Sequence, residues 1–231
     1  PLLMKSIEDD VRIPYEIVFV DDISTDGTRD FILDYARSHG NIKYIFSEEK
    51  KGTAIARYRG TLEASNVYII IMDSDNQHPP HMINEIAKQL YQGYDVVLCS
   101  RFISGGSTGN RKAVRGLISR IASLIVRLTL RKARHLSDPL SNFIGFRSSI
   151  KLPAVEWEGY EIQLAIFSSN DHLNIKEIPY VFREREIGKS SLTSSYRFIP
   201  VFLKEIFIYR KFERVAKYTH IHDGDSDVSR R

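Results

Sequence analysis

Apolar and polar positions alternate in a regular way along the first 100 residues. The run "YEIVFVDD" at residues 15–22 is short and β-branched, which is typical of a strand. It is followed by residues 28–40, where Phe31, Ile32 and Tyr35 have helical spacing and Gly40 ends the pattern. The cycle repeats, which predicts strands at 42–47, 67–75 and 94–101 and helices at 53–65 and 80–93. Such alternation indicates an α/β fold, with a mostly parallel central sheet covered by helices on both faces.

The pattern changes after residue 110. Residues 115–131 predict a helix that is strongly apolar on one side, and residues 196–218 mix aromatic residues with Lys and Arg on a helical period. We expect a domain at 1–195, an amphipathic membrane-proximal segment at 196–218 and a disordered tail at 219–231. The chain opens on a helical pattern, so we expect that an element preceding it is missing.

Composition limits the classes of partner. The net charge of +4 favours anionic partners such as phosphates and lipid headgroups. The single cysteine, Cys99, excludes a disulfide framework and a cysteine-based metal cluster, which suits a reducing compartment. No run approaches the roughly 18 to 20 apolar residues of a membrane-spanning helix, so we expect a soluble or peripheral protein.

Polar clusters follow three of the predicted strands. They are "DDISTDGT", "DSDNQHPP" and "SRFISGGSTGNR", beginning at residues 21, 73 and 100. Ligands in sheets of this kind bind beyond the carboxyl ends of the strands. We therefore expect the three clusters to share one crevice.

The acid pair Asp73 and Asp75 permits three interpretations. The carboxylates are solvated groups that cap the next helix, or one is the covalent nucleophile of a phosphohydrolase, or both bind a divalent cation with a nucleotide diphosphate. A nucleophile of the second kind follows the first strand of its sheet, whereas this pair ends the third visible strand and Asn76 follows it. Oxygen ligands suit Mg²⁺ or Mn²⁺, so we favour the cation site.

Six ordered motifs carry a family resemblance. They are "VDDISTDGT", "KGTAIARYRG", "IIIMDSDNQHPP", "CSRF", "SDPLSNFIGFR" and "EIPYVFRERE" with "IGKSSL". In order and spacing they resemble the family-two glycosyltransferases of GT-A (Rossmann-like) fold, and most of all the dolichyl-phosphate mannose synthase group. The resemblance implies inverting transfer of mannose from GDP-mannose to dolichyl or another polyprenyl phosphate.

The resemblance also implies roles for particular residues. Asp22 and Asp26 lie at the nucleoside pocket. Asp73, Asp75 and Gln77 hold the metal, Mg²⁺ or Mn²⁺, and the diphosphate. The acceptor phosphate is bound by a set of basic and hydroxyl residues: Arg101, Arg115, Ser119, Arg185 and Lys189.

The acceptor itself bears on catalysis. A polyprenyl phosphate has a second pKa of about 6, so its oxygen is already anionic at neutral pH. It needs positioning more than a general base, and arginine forks bind phosphate well. Asp75, Arg101 and Asp138 are the candidate catalytic residues, and Asp138 is the first to test as a base.

A lipid acceptor implies a membrane surface. Residues 196–218 are predicted either to lie in the interface or to pack on the domain. In the first case five side chains face inward: Phe198, Phe202, Ile206, Phe207 and Tyr209. Lys204, Arg210 and Lys211 would then lie at the headgroups. We expect the cytoplasmic face of a prokaryotic plasma membrane or of the endoplasmic reticulum, with a membrane-anchoring partner subunit as one means of attachment. Nucleic acid is not an expected partner.

Three departures from the family pattern keep other functions open. The usual first strand with its "P-T-Y-N-E"-like end is missing, Asn142 replaces a usual Gly, and in "GKSSL" the lysine precedes the serine. Because donor motifs overlap, UDP-glucose is an alternative donor. A non-catalytic nucleotide-binding or scaffold relative is the alternative of a different class.

Overall fold

A computed structural model describes residues 2–109, 113–152, 161–183 and 198–225. Over the first 100 residues the helices and strands alternate as the hydrophobic pattern predicts. The helices are α1 (Leu2–Asp10), α2 (Thr28–Ser38), α3 (Thr53–Glu63), α4 (Met82–Tyr91), α5 (Ala113–Thr129), α6 (Ile162–Ser169) and α7 (Phe198–Asp225). The strands are β1 (Ile17–Asp21), β2 (Ile42–Phe46), β3 (Tyr68–Ile71), β4 (Val96–Ser100), β5 (Ile144–Arg147) and β6 (Ile175–Pro179).

The strands form two hydrogen-bonded groups. β1 and β2 pair in parallel, with Ile17 opposite Ile42. The second group has the order β3-β5-β4-β6, in which β4 and β6 are parallel and β5 is antiparallel to both of its neighbours. β3, β4 and β6 therefore point the same way, which confirms the predicted α/β class. The reversed β5 was not predicted, because it is a four-residue strand within "SDPLSNFIGFR".

Both faces of β4 are covered. All five of its residues are buried, and alternate residues enter different apolar clusters. Val96 and Leu98 pack with α5, α6 and α7, whereas Val97 and Cys99 pack with α4. Helices on both faces were expected from the alternation of strands and helices along the chain.

Gly145 lets α4 lie directly on β5. A Cβ added at this position would stand 2.2 Å from Ile86 Cγ2 and 3.2 Å from Leu90 Cδ1. No side chain larger than hydrogen fits there unless α4 shifts. The close approach holds the central strand, and the loop that precedes it, against the helix.

Helix α7 packs one face on the domain. Phe202, Ile206 and Tyr209 are buried in the cluster that contains α6, whereas Phe207 is 66% exposed. Of the two alternatives for this segment, packing on the domain therefore describes the buried face. The helix continues to Asp225, beyond the predicted end at 218. Within the described residues, no helix is long and apolar enough to cross a membrane.

Candidate active site

The loops after β1, β3 and β4 carry the predicted site residues. At the end of β1, Asp21 is buried and accepts hydrogen bonds from Arg29 Nε at 2.6 Å and from the backbone N–H of Ser24 at 3.0 Å. Asp22 turns toward α3, where its two oxygens accept from the backbone N–H groups of Lys51 at 2.7 Å and Gly52 at 2.9 Å. Asp22 therefore joins the end of β1 to the loop that begins α3.

Asp26 lies at the start of α2 and is exposed. Its carboxylate accepts from Thr28 Oγ1 at 2.6 Å and from the Thr28 N–H at 3.2 Å. These hydrogen bonds, the side-chain one first, lower the pKa of Asp26. The contacts are those of a helix-start residue, and the assignment of Asp26 to a nucleoside pocket stays a prediction.

The acid pair lies in the loop after β3. Asp73 Oδ1 accepts from Arg57 Nη2 at 2.9 Å, and Asp75 Oδ1 accepts from the backbone N–H of Gln77 at 3.1 Å. Gln77 in turn donates through Nε2 to the carbonyl of Arg183 at 3.2 Å, and its backbone carbonyl accepts the Arg183 N–H at 3.0 Å. The loop is thus held on one side by α3 and on the other by the segment after β6.

His78 holds this loop through a backbone hydrogen bond and a stacked ring. Its Nδ1 accepts the backbone N–H of Asp73 at 3.0 Å, and its ring stacks on Phe143 with centroids 4.8 Å apart. Burial lowers the pKa of His78 to about 4, although Asp73 and Asp75 oppose the shift. The imidazole is therefore neutral at physiological pH. Sequence reasoning did not identify this role, because a histidine after an acid pair has no distinctive pattern.

The carboxylates of this loop fit a cation site whose remaining ligands come from a substrate. Among the described residues, no group of three or more His, Cys, Asp or Glu side chains is arranged to hold a metal ion. Mg²⁺ is commonly bound by one or two carboxylates together with substrate phosphates. Asp73 and Asp75 supply two carboxylates, and the side chain of Asp73 is 39% exposed, so phosphate oxygens have access to it.

Arg101 and Asp138 form a closed, buried pair. Asp138 accepts from Arg101 Nε at 2.7 Å, from Nη2 at 2.8 Å and from the Arg101 backbone N–H at 3.0 Å. Burial by itself lowers the pKa of Arg101, but the hydrogen bonds and charge of Asp138 outweigh it and raise the pKa. Asp138 is 0% exposed. This pairing favours a positioning role for Asp138 over the proton-accepting role that we considered from the sequence.

The loop of Asp138 is itself fixed from the sheet. Glu177 on β6 accepts the backbone N–H groups of Ser137 at 2.8 Å and Asp138 at 3.0 Å. Arg101 therefore projects from the end of β4 against a carboxylate whose own backbone is held by β6. The structure thus brings together the predicted residues Arg101 and Asp138, which are 37 positions apart in the chain.

The other predicted acceptor residues are placed less fully. Ser119 lies on α5 and is half-buried. Arg115 belongs to the same helix, but its side chain lies outside the described residues, as do Arg185 and Lys189 entirely. Their convergence on one phosphate site stays a prediction.

Arg57 is a site residue that sequence reasoning missed. It lies on α3 within "KGTAIARYRG", and its side chain is 11% exposed. Its two terminal nitrogens point to different partners, Asp73 and the Asn142 side-chain oxygen, the latter at 3.1 Å. The available signal was its position one turn after Thr53, the first residue of α3.

Comparisons with known proteins identify relatives of this chain. A dolichol-phosphate mannosyltransferase of Pyrococcus furiosus is 32% identical over 211 residues, which cover 89% of this chain and 59% of the relative. The chain thus spans well under two thirds of that relative's length. A dolichol-phosphate mannosyltransferase of Saccharomyces cerevisiae is 27% identical, covering 84% of this chain and 75% of the relative.

Solved structures share the fold. Glucosyl-3-phosphoglycerate synthase from Mycobacterium tuberculosis, solved with Mn²⁺, uridine diphosphate and glucosyl-3-phosphoglycerate, aligns with a TM-score of 0.63 at 17% identity, covering 90% of this chain and 72% of that one. At this identity the likeness concerns the fold alone, and it confirms the predicted GT-A architecture. The model of the family described as "Glycosyl transferase family 2" matches residues 3–152, well over half of the 231 residues. The chain belongs to glycosyl transferase family 2.

Proposed function

We propose that this chain is the catalytic part of an inverting mannosyltransferase. It moves mannose from GDP-mannose to dolichyl or another polyprenyl phosphate, giving dolichyl-phosphate mannose. The names of the similar archaeal and yeast proteins, and of an undecaprenyl-phosphate mannosyltransferase of Micrococcus luteus at 29% identity, support this choice of sugar and acceptor.

The observation that carries the proposal is the loop after β3. Asp73 and Asp75 stand at the carboxyl end of the strand, each oriented by a hydrogen bond from a defined partner. In the proposal they hold Mg²⁺ or Mn²⁺ and the donor diphosphate, with Gln77 beside them. The cation, when bound, supplies charge neutralisation to the departing nucleoside diphosphate.

The buried Arg101–Asp138 pair suits a phosphate acceptor. An acceptor oxygen that is already anionic requires no general base. Asp138, the residue considered as a base, instead accepts two hydrogen bonds from the Arg101 guanidinium. Asp138 occupies Nε and Nη2 of the guanidinium and leaves further N–H donors on the same fork. In the proposal these donors, with Arg115, Ser119, Arg185 and Lys189, receive the acceptor phosphate.

The exposed face of α5 supports contact with a membrane surface. Four large side chains lie in one stripe on the side away from the core, at exposures of 49–71%: Leu117, Ile121, Leu124 and Leu128. α5 contacts α7, whose exposed Phe207 is surrounded by the exposed Lys211, Arg210 and Arg214. Apolar side chains beside Lys and Arg suit the interface of an anionic lipid bilayer. We place this contact at the cytoplasmic face, where a nucleotide sugar is available, with an anchoring partner subunit as an additional attachment.

One assay tests the reaction. The protein is incubated with Mn²⁺, a short polyprenyl phosphate and radiolabelled GDP-mannose or, in a parallel arm, UDP-glucose, and labelled lipid is extracted. We expect labelled lipid from GDP-mannose and a loss of product in Asp75→Ala, whose fold is checked by circular dichroism. Product from UDP-glucose alone would favour the glucosyltransferase alternative, and no product from either donor would overturn the enzymatic proposal.

A further inference from the structure

A connected set of polar side chains runs inward from Asp73. Arg57 donates from Nη2 to Asp73 at 2.9 Å and from Nη1 to Asn142 Oδ1 at 3.1 Å. Gln163 Nε2 donates to the same Asn142 oxygen at 3.4 Å and also to Glu161 Oε2. We name these five residues the Arg57 network. It joins the loop after β3 to α3, to the segment before β5 and to the start of α6.

The inner end of the network is deeply buried. Gln163 is 0% exposed and Glu161 is 6% exposed, and the next four residues of α6, from Leu164 to Phe167, are apolar and 0% exposed. A carboxyl group in such surroundings costs free energy unless it is protonated, paired or hydrogen-bonded. Burial raises the pKa of Glu161 to about 7, against the opposing effects of Arg57 and the Gln163 hydrogen bond. An apolar residue would pack here at a lower free-energy cost, so packing alone does not explain a carboxyl group at this position.

Each link of the network restricts the next. Arg57 has a long side chain, and a guanidinium aims at one target only when another of its N–H groups is also held. Asn142 provides that second contact, and its amide orientation is set by the donor from Gln163. The Gln163 amide is in turn oriented by the acceptor on Glu161. The direction of the Asp73 carboxylate is therefore set from α6.

We propose that Glu161 is a positioning residue for the cation and diphosphate site, acting through Gln163, Asn142 and Arg57 on the orientation of Asp73. The inference rests on the proposed function only in that Asp73 is taken as a cation ligand. Groups that orient the ligands of a metal commonly change its affinity by about 10–100-fold when removed. Glu161 is several links from the ligand, so we expect the lower end of that range.

The network predicts which substitutions matter. Glu161→Leu removes the acceptor for Gln163, and Asn142→Gly removes the oxygen that Arg57 and Gln163 share. Glu161→Gln keeps an oxygen acceptor in the same place and should restore the network. Glu205→Leu on α7 is the matched control for removal of a buried carboxylate, because Glu205 is also a glutamate at 6% exposure and is not one of the five named residues.

The test measures Mn²⁺ binding without turnover. Because a substrate diphosphate completes the cation site, each variant is titrated with MnCl₂ in the presence of GDP, and free Mn²⁺ is followed by electron paramagnetic resonance against a titration of GDP alone. We expect the dissociation constant to rise about tenfold in Glu161→Leu and Asn142→Gly, and to stay within about twofold of the native value in Glu161→Gln and Glu205→Leu. In the transfer assay, the Mn²⁺ concentration for half-maximal rate should rise in parallel, with a smaller change in kcat.

Several results would overturn the inference. Native affinity in folded Glu161→Leu would do so, as would an affinity in Glu161→Gln as weak as in Glu161→Leu. If Glu161→Leu does not fold, Asn142→Gly decides, and native Mn²⁺ affinity there contradicts the network. A native protein that binds Mn²⁺ but forms no lipid-linked sugar contradicts the proposed function alone, whereas one that binds no Mn²⁺ contradicts both.

Discussion

Removal of the Asp138 carboxylate tests whether Arg101 is held by a closed, buried ion pair. The two side chains are 0% and 9% exposed, and their shortest contact is 2.7 Å. At an effective dielectric constant near 20, unit charges about 4 Å apart attract by about 4 kcal/mol. Loss of one partner of a buried pair costs about 3–5 kcal/mol, because the other charge stays buried. We expect Asp138→Ala to lose that amount, a large part of the ~5–15 kcal/mol that stabilises a typical domain.

The assay is urea unfolding followed by circular dichroism, in which the midpoint should fall while the slope stays unchanged. A double variant, Arg101→Met with Asp138→Leu, replaces the pair by apolar side chains and should recover most of the stability. It should nevertheless lose transfer to the lipid acceptor, because the proposal places Arg101 at the acceptor phosphate. The matched control is Asp34→Ala, which breaks the exposed pair with Arg37 and should leave the midpoint unchanged.

Two results would refute this reasoning. A loss below about 1 kcal/mol in Asp138→Ala, the size typical of an exposed pair, would show that the pair is open to water. Full transfer activity in the double variant would show that Arg101 has no part in acceptor binding.

Three further predictions concern pH, the membrane and packing. Between its ordinary pKa of 4.5 and about 7, Glu161 binds more protons in the folded chain than in the unfolded chain, so stability falls as pH rises through this range. The free energy of unfolding of the native protein should fall by about 2–3 kcal/mol more than that of Glu161→Gln between pH 5 and 8.5, as measured by urea unfolding. An equal fall in the two proteins would contradict the raised pKa. Leu128→Glu should weaken flotation with anionic vesicles about tenfold, whereas Leu62→Glu on α3, at similar exposure, should not, and equal effects would exclude α5 as the contact. Gly145→Ala should lower the free energy of unfolding by about 1–3 kcal/mol, because the added methyl group overpacks against α4. Gly40→Ala is the control, because a Cβ there meets open space, and an equal loss in the two variants would contradict the close approach.

Local pattern was sufficient for the order of elements through β4. The β-branched run before Asp21 and the helical spacing of Phe31, Ile32 and Tyr35 place β1 and α2 where the structure has them. The same reasoning put the acid pair just beyond the end of β3. Periods of 2.0 and 3.6 are properties of neighbouring residues, so they can be read without knowledge of how the chain closes.

The partners of the site residues depend on how distant parts of the chain come together in the fold. Asp138 meets Arg101 across 37 positions and Arg57 meets Asn142 across 85, and no local period relates them. The reversal of β5 is decided by hydrogen bonds to two strands at once.

By itself, the sequence determined the α/β class, the position of Asp73 and Asp75 at a strand end, and the resemblance to a glycosyltransferase family. The tertiary structure decided which charges are buried together, as with Glu161 beside Gln163 and Asp138 beside Arg101. The physical reason is that pairing and burial of charges depend on distances and solvent access in three dimensions, which a local pattern does not specify.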